Sequence, residues 1–186
     1  MNDKDILVIH PYLKKKRINK DYFLEEAINL VKAINLNCID SLLVGLDTIS
    51  PKTYLNKGFI RKIKLEASNN KVDLLLINTT LSPIQQRNLE KDLNCKVLDR
   101  TNLILEIFGS RAKSNEGKLS VTLASLEYQK SRLVRSWTHL ERQRGGAGFM
   151  GGPGEKQIES DRRQITERIN RLKKKIKNIN SRRNNQ

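Results

Sequence analysis

Between Arg142 and Lys156 the chain reads Arg142-Gln-Arg-Gly-Gly-Ala-Gly-Phe-Met-Gly-Gly-Pro-Gly-Glu-Lys156, and this stretch holds six of the ten glycines in 186 residues. Glycine lacks a Cβ, so the backbone N–H groups of Gly145, Gly146, Gly148, Gly151, Gly152 and Gly154 can approach a phosphate or a base edge closely. Phe149 supplies a face on which an unpaired base can stack, with Met150 beside it. Arg142 and Arg144 can fork onto phosphate oxygens, and Lys156 adds a point charge. Pro153, Glu155 and Gln157 complete the candidate RNA-binding set, and Arg162 and Arg163 are supporting basic residues. Glu155, Glu159 and Asp161 are placed to favour the positive end of a following helix, so Arg162 and Arg163 also admit a plainer reading as helix-surface ion pairs.

Other chemistries fit less well. Gly146-Ala-Gly-Phe-Met-Gly151 satisfies G-x-G-x-x-G, but a dinucleotide fingerprint follows a strand and opens a helix, and here a basic helix precedes it and Pro153 interrupts the turn. Gly151-Gly-Pro-Gly-Glu-Lys156 imitates a P-loop, yet Glu155 stands where a glycine is needed and Gln157 where Ser or Thr would hold magnesium. No G-x-x-x-x-G-K-[ST] occurs, so nothing in the chain is suited to hydrolysing a nucleotide, and no catalytic residue is assigned. His10 and His139 are isolated from ligand-like neighbours, and Cys38 and Cys95 form no C-x-x-C pair. Neither a metal site nor a disulfide framework is expected, and the cysteines read as two buried thiols.

Two long amphipathic segments flank the glycine stretch. Leu119, Leu123, Leu126, Lys130, Leu133, Trp137 and Leu140 follow a heptad stripe, as do Ile158, Arg162, Ile165, Ile169, Leu172, Ile176 and Ile179. Helices carrying matching stripes bury them most simply by folding back on each other, as an antiparallel hairpin with the glycines at its tip. A helix over 118–142 would lift that tip by about 35 Å. The alternative is a flexible linker, but such a connection needs only a few residues and has no use for exposed Phe149 and Met150. Trp137 lies on the stripe and reads as core, and residues 173–177 read as a solvated basic face.

Upstream, residues 6–9, 38–44, 72–77 and 95–98 are apolar runs of strand length, separated by helical patterns. Asp21 stands at an N-cap position before Phe23, Ala27, Leu30, Val31 and Ile34, which share one face. A second helix carries Ile60, Ile63, Leu65 and Ala67, and Ser82-Pro83 opens a third with its cap and N1 proline. A fourth begins at residues 99–101 and offers Leu103, Ile104, Ile107 and Phe108 to the sheet. The β-α-β-α-β-α-β rhythm predicts a small parallel sheet with covering helices. Gly109 and residues 114–117 read as a joint. The expected domains are an α/β subdomain over 1–109 and a helical hairpin over 110–186, with a tip loop over 144–156.

Charge identifies the partner class. The net is +16, but residues 1–109 hold 17 Lys and Arg against 13 Asp and Glu, whereas residues 110–186 hold 19 against 7. Such density on the second part points to nucleic acid or an acidic surface. The apolar run at 6–9 is too short for a signal peptide, and no stretch approaches the roughly 18 apolar residues of a membrane span, so a cytoplasmic protein is expected.

Several blocks together resemble a known family. Asp99-Arg-Thr-Asn-Leu-Ile-Leu-Glu-Ile-Phe108, Glu116-Gly-Lys-Leu119, Leu126-Glu-Tyr128, residues 81–89 and above all the block 142–163 are similar to the N-terminal region of HflX, a ribosome-associated bacterial GTPase family. The resemblance runs from about Ile6 to the C-terminus. It implies an α/β subdomain followed by a two-helix hairpin whose loop enters the large ribosomal subunit near the peptidyl transferase centre, helping to dissociate or rescue 70S particles. It also implies that the partners are the large subunit and its rRNA, that the module is a monomer, and that GTP and magnesium are bound by a separate downstream domain, which would begin where this chain stops at Gln186. This chain alone then needs no cofactor and is not an enzyme.

Three positions depart from the family pattern. Lys156 replaces a usual threonine, Ser131 a common proline, and Asn56-Lys-Gly-Phe-Ile-Arg61 a loop that usually reads Gly-x-Gly-Lys. The competing expectations are a coiled-coil adaptor that binds protein without RNA contact, a peripheral membrane binder, and a nucleotide-binding enzyme acting through the α/β part.

Overall fold

The computed structural model describes the backbone of residues 5–72, 74–143 and 153–184, and the side chains among them except those of 133–143, 153–158, 180 and 182–184. The chain divides into two compact units, Met1–Ile107 and Phe108–Gln186.

In the first unit four strands, β1 (Asp5–Leu13), β2 (Asn37–Leu46), β3 (Leu74–Ile77) and β4 (Lys96–Asp99), form one parallel sheet in the order β2-β1-β3-β4. Four helices accompany it: α1 (Lys20–Lys32), α2 (Lys57–Asn69), α3 (Pro83–Leu93) and α4 (Arg100–Arg111). Because side chains alternate along a strand, β1 sends Leu7 and Ile9 to one face and Ile6 and Val8 to the other, all fully buried. The Leu7 face is covered by Ile60, Ile63 and Ala67 of α2 and Leu89 and Leu93 of α3. The Ile6 face is covered by Ala27 and Val31 of α1 and Leu103 and Ile107 of α4. A strand buried on both faces has no polar side to alternate with, which is why these runs are continuously apolar.

Helix boundaries follow local chemistry. Ser82 caps α3 by accepting from the Gln85 amide while the Gln85 side chain accepts from the Ser82 amide, and Pro83 fills the first turn. Asn94 ends that helix in the left-handed region at φ 55°. The cap of α1 is Asn19, whose side chain accepts from the Tyr22 amide at 3.2 Å, rather than Asp21, which lies in the first turn where a carboxylate favours the helix dipole. The Asp99 carboxylate accepts from the amides of Leu81 at 3.2 Å and Asn102 at 2.8 Å, tying the start of α4 to the loop before α3.

Two expectations are corrected and a third is refined. Leu65 is 65% exposed on α2 and Phe108 58% exposed on α4, so neither joins the core. Gly109 lies on helical backbone inside α4, which continues to Arg111, although the division between the units falls beside it. Cys38 and Cys95 are only half-buried.

The second unit contains α5 (Asn115–Gln143) and α6 (Pro153–Asn184), which pack on each other. Among the described residues, no helix is long and apolar enough to cross a membrane.

Candidate nucleic-acid interface

The heptad stripes decide how α5 and α6 meet. Leu119 and Leu123 are half-buried and Leu126 is buried, and on α6 Ile169 is buried between half-buried Ile165, Leu172 and Ile176. Lys173 Nζ lies 2.8 Å from Glu127 Oε1, a pair between the helices flanking the apolar seam. Arg162, at a stripe position, is exposed instead, as a long cationic side chain can be when its stem runs along the seam and its head reaches water. Outside the seam, Arg163 pairs with Glu159 and Arg171 with Glu167, both at 3.4 Å and one helical turn apart. Exposed pairs of this kind contribute only about 0.3–0.5 kcal/mol. Arg132 stacks 4.3 Å from the centroid of the Tyr128 ring and donates to its hydroxyl.

The candidate RNA-binding residues that the structure describes lie on these two helices. Arg142 is in the last turn of α5. Pro153, Gly154, Glu155, Lys156 and Gln157 lie on helical backbone at the start of α6, so the helix begins inside the segment expected to be loop, with Pro153 at its first position. Arg144, Gly145, Gly146, Gly148, Phe149, Met150, Gly151 and Gly152 lie outside the described residues, as does the side chain of Trp137. Arg162 and Arg163 present exposed side chains two to three turns into α6.

In the first unit the structure brings together residues that the sequence did not connect. Strands β1 and β3 are neighbours, yet the chain leaves them towards helices on opposite faces, and in sheets of this kind the carboxyl ends at that reversal form a crevice. His10 and Asn78 stand there, 7% and 5% exposed. The Asn78 amide is oriented by two partners, since Arg100 Nη1 donates to its Oδ1 at 2.9 Å and its Nδ2 donates to the Phe23 carbonyl at 3.1 Å. The same Nδ2 lies 3.0 Å from His10 Nδ1, which must therefore accept, leaving the imidazole proton on Nε2. Arg100 Nη2 also pairs with Glu26 Oε1 at 2.8 Å.

Burial is the main influence on His10 and pushes its imidazole below the ordinary 6.5. A hydrogen bond with the Asn78 backbone works against this, the Arg100 charge adds to it, and Glu26 opposes it. Burial likewise raises the Cys38 thiol. Among the described residues no cluster of three metal-binding side chains occurs. This network binds α1 and α4 to the strand ends. The one sequence signal for it was a polar residue directly after each apolar run, His10 after residues 6–9 and Asn78 after Ile77.

Comparison with known proteins places both units. The profile described as GTP-binding GTPase N-terminal matches residues 21–109, and that described as GTP-binding GTPase Middle Region matches residues 111–186. GTPase HflX of Magnetococcus marinus is 52% identical over 156 residues, covering 84% of this chain and 36% of its own length. GTPase HflX of Escherichia coli is 37% identical over 177 residues, covering 95% of this chain and 41% of its own length. A crystal structure of a GTP-binding protein from the archaeon Sulfolobus solfataricus in complex with GDP shares the fold, with a TM-score of 0.67 at 24% identity, covering 95% of this chain and 46% of that one. The chain thus spans well under half the length of the relatives it matches.

Proposed function

This chain belongs to the HflX family, matching its N-terminal and middle regions, and from that membership we propose that it is the ribosome-binding module of a GTPase. In this reading α5 and α6 form an antiparallel hairpin that inserts its glycine-rich tip into rRNA of the large subunit near the peptidyl transferase centre, helping to dissociate or rescue 70S ribosomes. GTP and magnesium belong to a further domain of the full-length protein, which works in the cytoplasm. The module acts as a monomer.

The carrying observation is that α5 and α6 pack on each other while the glycine-rich stretch joins the end of one, Gln143, to the start of the other, Pro153. At about 1.5 Å per residue, a helix of this length reaches on the order of 40 Å, enough to carry a small basic tip into a folded RNA. The net charge of +12 on residues 110–186 favours that partner, and glycines with one aromatic and flanking arginines supply phosphate and base contacts. Burial of Leu126 and Ile169 within the chain occupies the apolar seam that a coiled-coil adaptor would need for another protein.

The test is co-sedimentation with purified 50S subunits across a salt series. Binding is expected to weaken steeply with salt and to fall when Phe149→Ala is combined with Arg144→Ala. Equal sedimentation by a variant lacking residues 145–154 would end the proposal.

A further inference from the structure

The charge of the first unit is concentrated in one place. Residues 1–109 carry 17 basic against 13 acidic side chains, and the segment from Lys14 to Asp21 holds five of those bases and one of those acids. The remainder balances at 12 against 12, so the whole excess of this unit lies on the connection from β1 to α1. Lys14, Lys15, Lys16 and Arg17 are all exposed. Lys14 pairs with Asp47 at 3.1 Å, while Lys15, Lys16 and Arg17 have no ion-pair partner among the described residues.

Aromatic rings flank these cations. Lys20 Nζ sits 5.2 Å from the centroid of Tyr12. Tyr22 is 60% and Phe23 37% exposed, and they meet edge to face with centroids 5.6 Å apart. Phe23 is also stacked on buried His10, at 5.8 Å and 22°. Its carbonyl is held by Asn78, itself anchored by Arg100. An exposed ring normally loses rotamer freedom when a ligand orders it, and here the network beneath Phe23 has already imposed that order.

Cations alone would accept any polyanion. A ring seated on a buried network, met at its edge by a second, solvent-facing ring beside unpaired lysines, matches a strand with uncovered bases as well as phosphates. We propose that the β1–α1 connection, with Lys15, Lys16, Arg17, Tyr22 and Phe23, is a second RNA-binding surface, one that takes an unpaired strand by stacking and phosphate contact. It stands on observations independent of the hairpin tip and allows the two units to engage one RNA partner at separate points.

The experiment is fluorescence anisotropy of the full 186-residue chain with a labelled 12-nucleotide single-stranded RNA of mixed sequence, and with an RNA duplex of the same length, over a range of salt. Tyr22→Ala is expected to weaken single-strand binding by roughly 5- to 100-fold while leaving duplex binding within about twofold. Replacing Lys15, Lys16 and Arg17 together by glutamine is expected to reduce the slope of log affinity against log salt by about 2. These side chains are exposed, so the fold should survive, and circular dichroism checks that it has. Single-strand affinity and salt slope unchanged in both variants would overturn the proposal, as would an equal loss for strand and duplex in Tyr22→Ala. Measuring the same oligonucleotide with the variant lacking residues 145–154 separates the two surfaces. The Tyr22 dependence should persist there whether or not the tip is needed for 50S binding.

Discussion

Replacing Asn78 by alanine removes three hydrogen bonds at once and should loosen the first unit selectively. The bond from Arg100 lies beside a side chain about one-third exposed, so water can take over part of it. The bond to His10 Nδ1 has no such replacement, because Asn78 is 5% and His10 7% exposed, whereas the Phe23 carbonyl, inside α1, keeps its place in the helix ladder. One buried acceptor left without its donor, a second bond lost from a helical carbonyl and part of a charge-assisted bond amount to a loss of about 3 kcal/mol. Hydrogen exchange followed by mass spectrometry reads this directly. Amides of β1 and β3 that exchange through opening of this unit should do so roughly 150-fold faster, while peptides from α5 and α6 serve as an internal reference. An acceleration below about threefold in β1 and β3 would refute the network as a structural anchor, and an equal acceleration in α5 and α6 would refute its being confined to one unit.

Two further outcomes follow from the same geometry. Ile169→Ala opens the α5–α6 seam at a residue only 4% exposed and should cost about 2–3 kcal/mol, near the low end for buried isoleucine because its stripe neighbours are half-exposed; urea denaturation followed through α5–α6 signals checks this. His10 has a folded-state pKa below its ordinary 6.5, so the unfolded chain binds the proton first as pH falls. Its contribution to stability is therefore complete above about pH 6.5 and declines below it, visible as a lower urea midpoint at pH 5.5 than at pH 7.5 that is largely absent in His10→Gln.

The four strands and the helix stripes were legible in the sequence because each rests on a local pattern. Continuous apolar runs such as residues 74–77 suit a strand covered on both sides, and a heptad places Leu126 and Ile169 on facing seams. Where two residues compete for one local role, the pattern fell short: Asn19 and Asp21 are both good caps, and only the bond to the Tyr22 amide distinguishes them. Leu65 and Phe108 misled because an apolar residue at an approximate helical spacing need not reach the core. The polar network was out of reach, since His10 and Asn78 are 68 positions apart and meet only because β3 lies beside β1 in the sheet. Residues 153–156, expected in the tip loop, lie on the helical backbone of α6, and the proline itself was the clue.

Whether the glycine-rich tip touches rRNA can be asked at a single residue. A photoreactive phenylalanine analogue placed at position 149, irradiated in the complex with 50S subunits and mapped by primer extension, should crosslink to nucleotides of the large-subunit rRNA clustered in the peptidyl transferase region. Crosslinks confined to residues of this same chain, or to ribosomal proteins on the subunit exterior, would contradict the account.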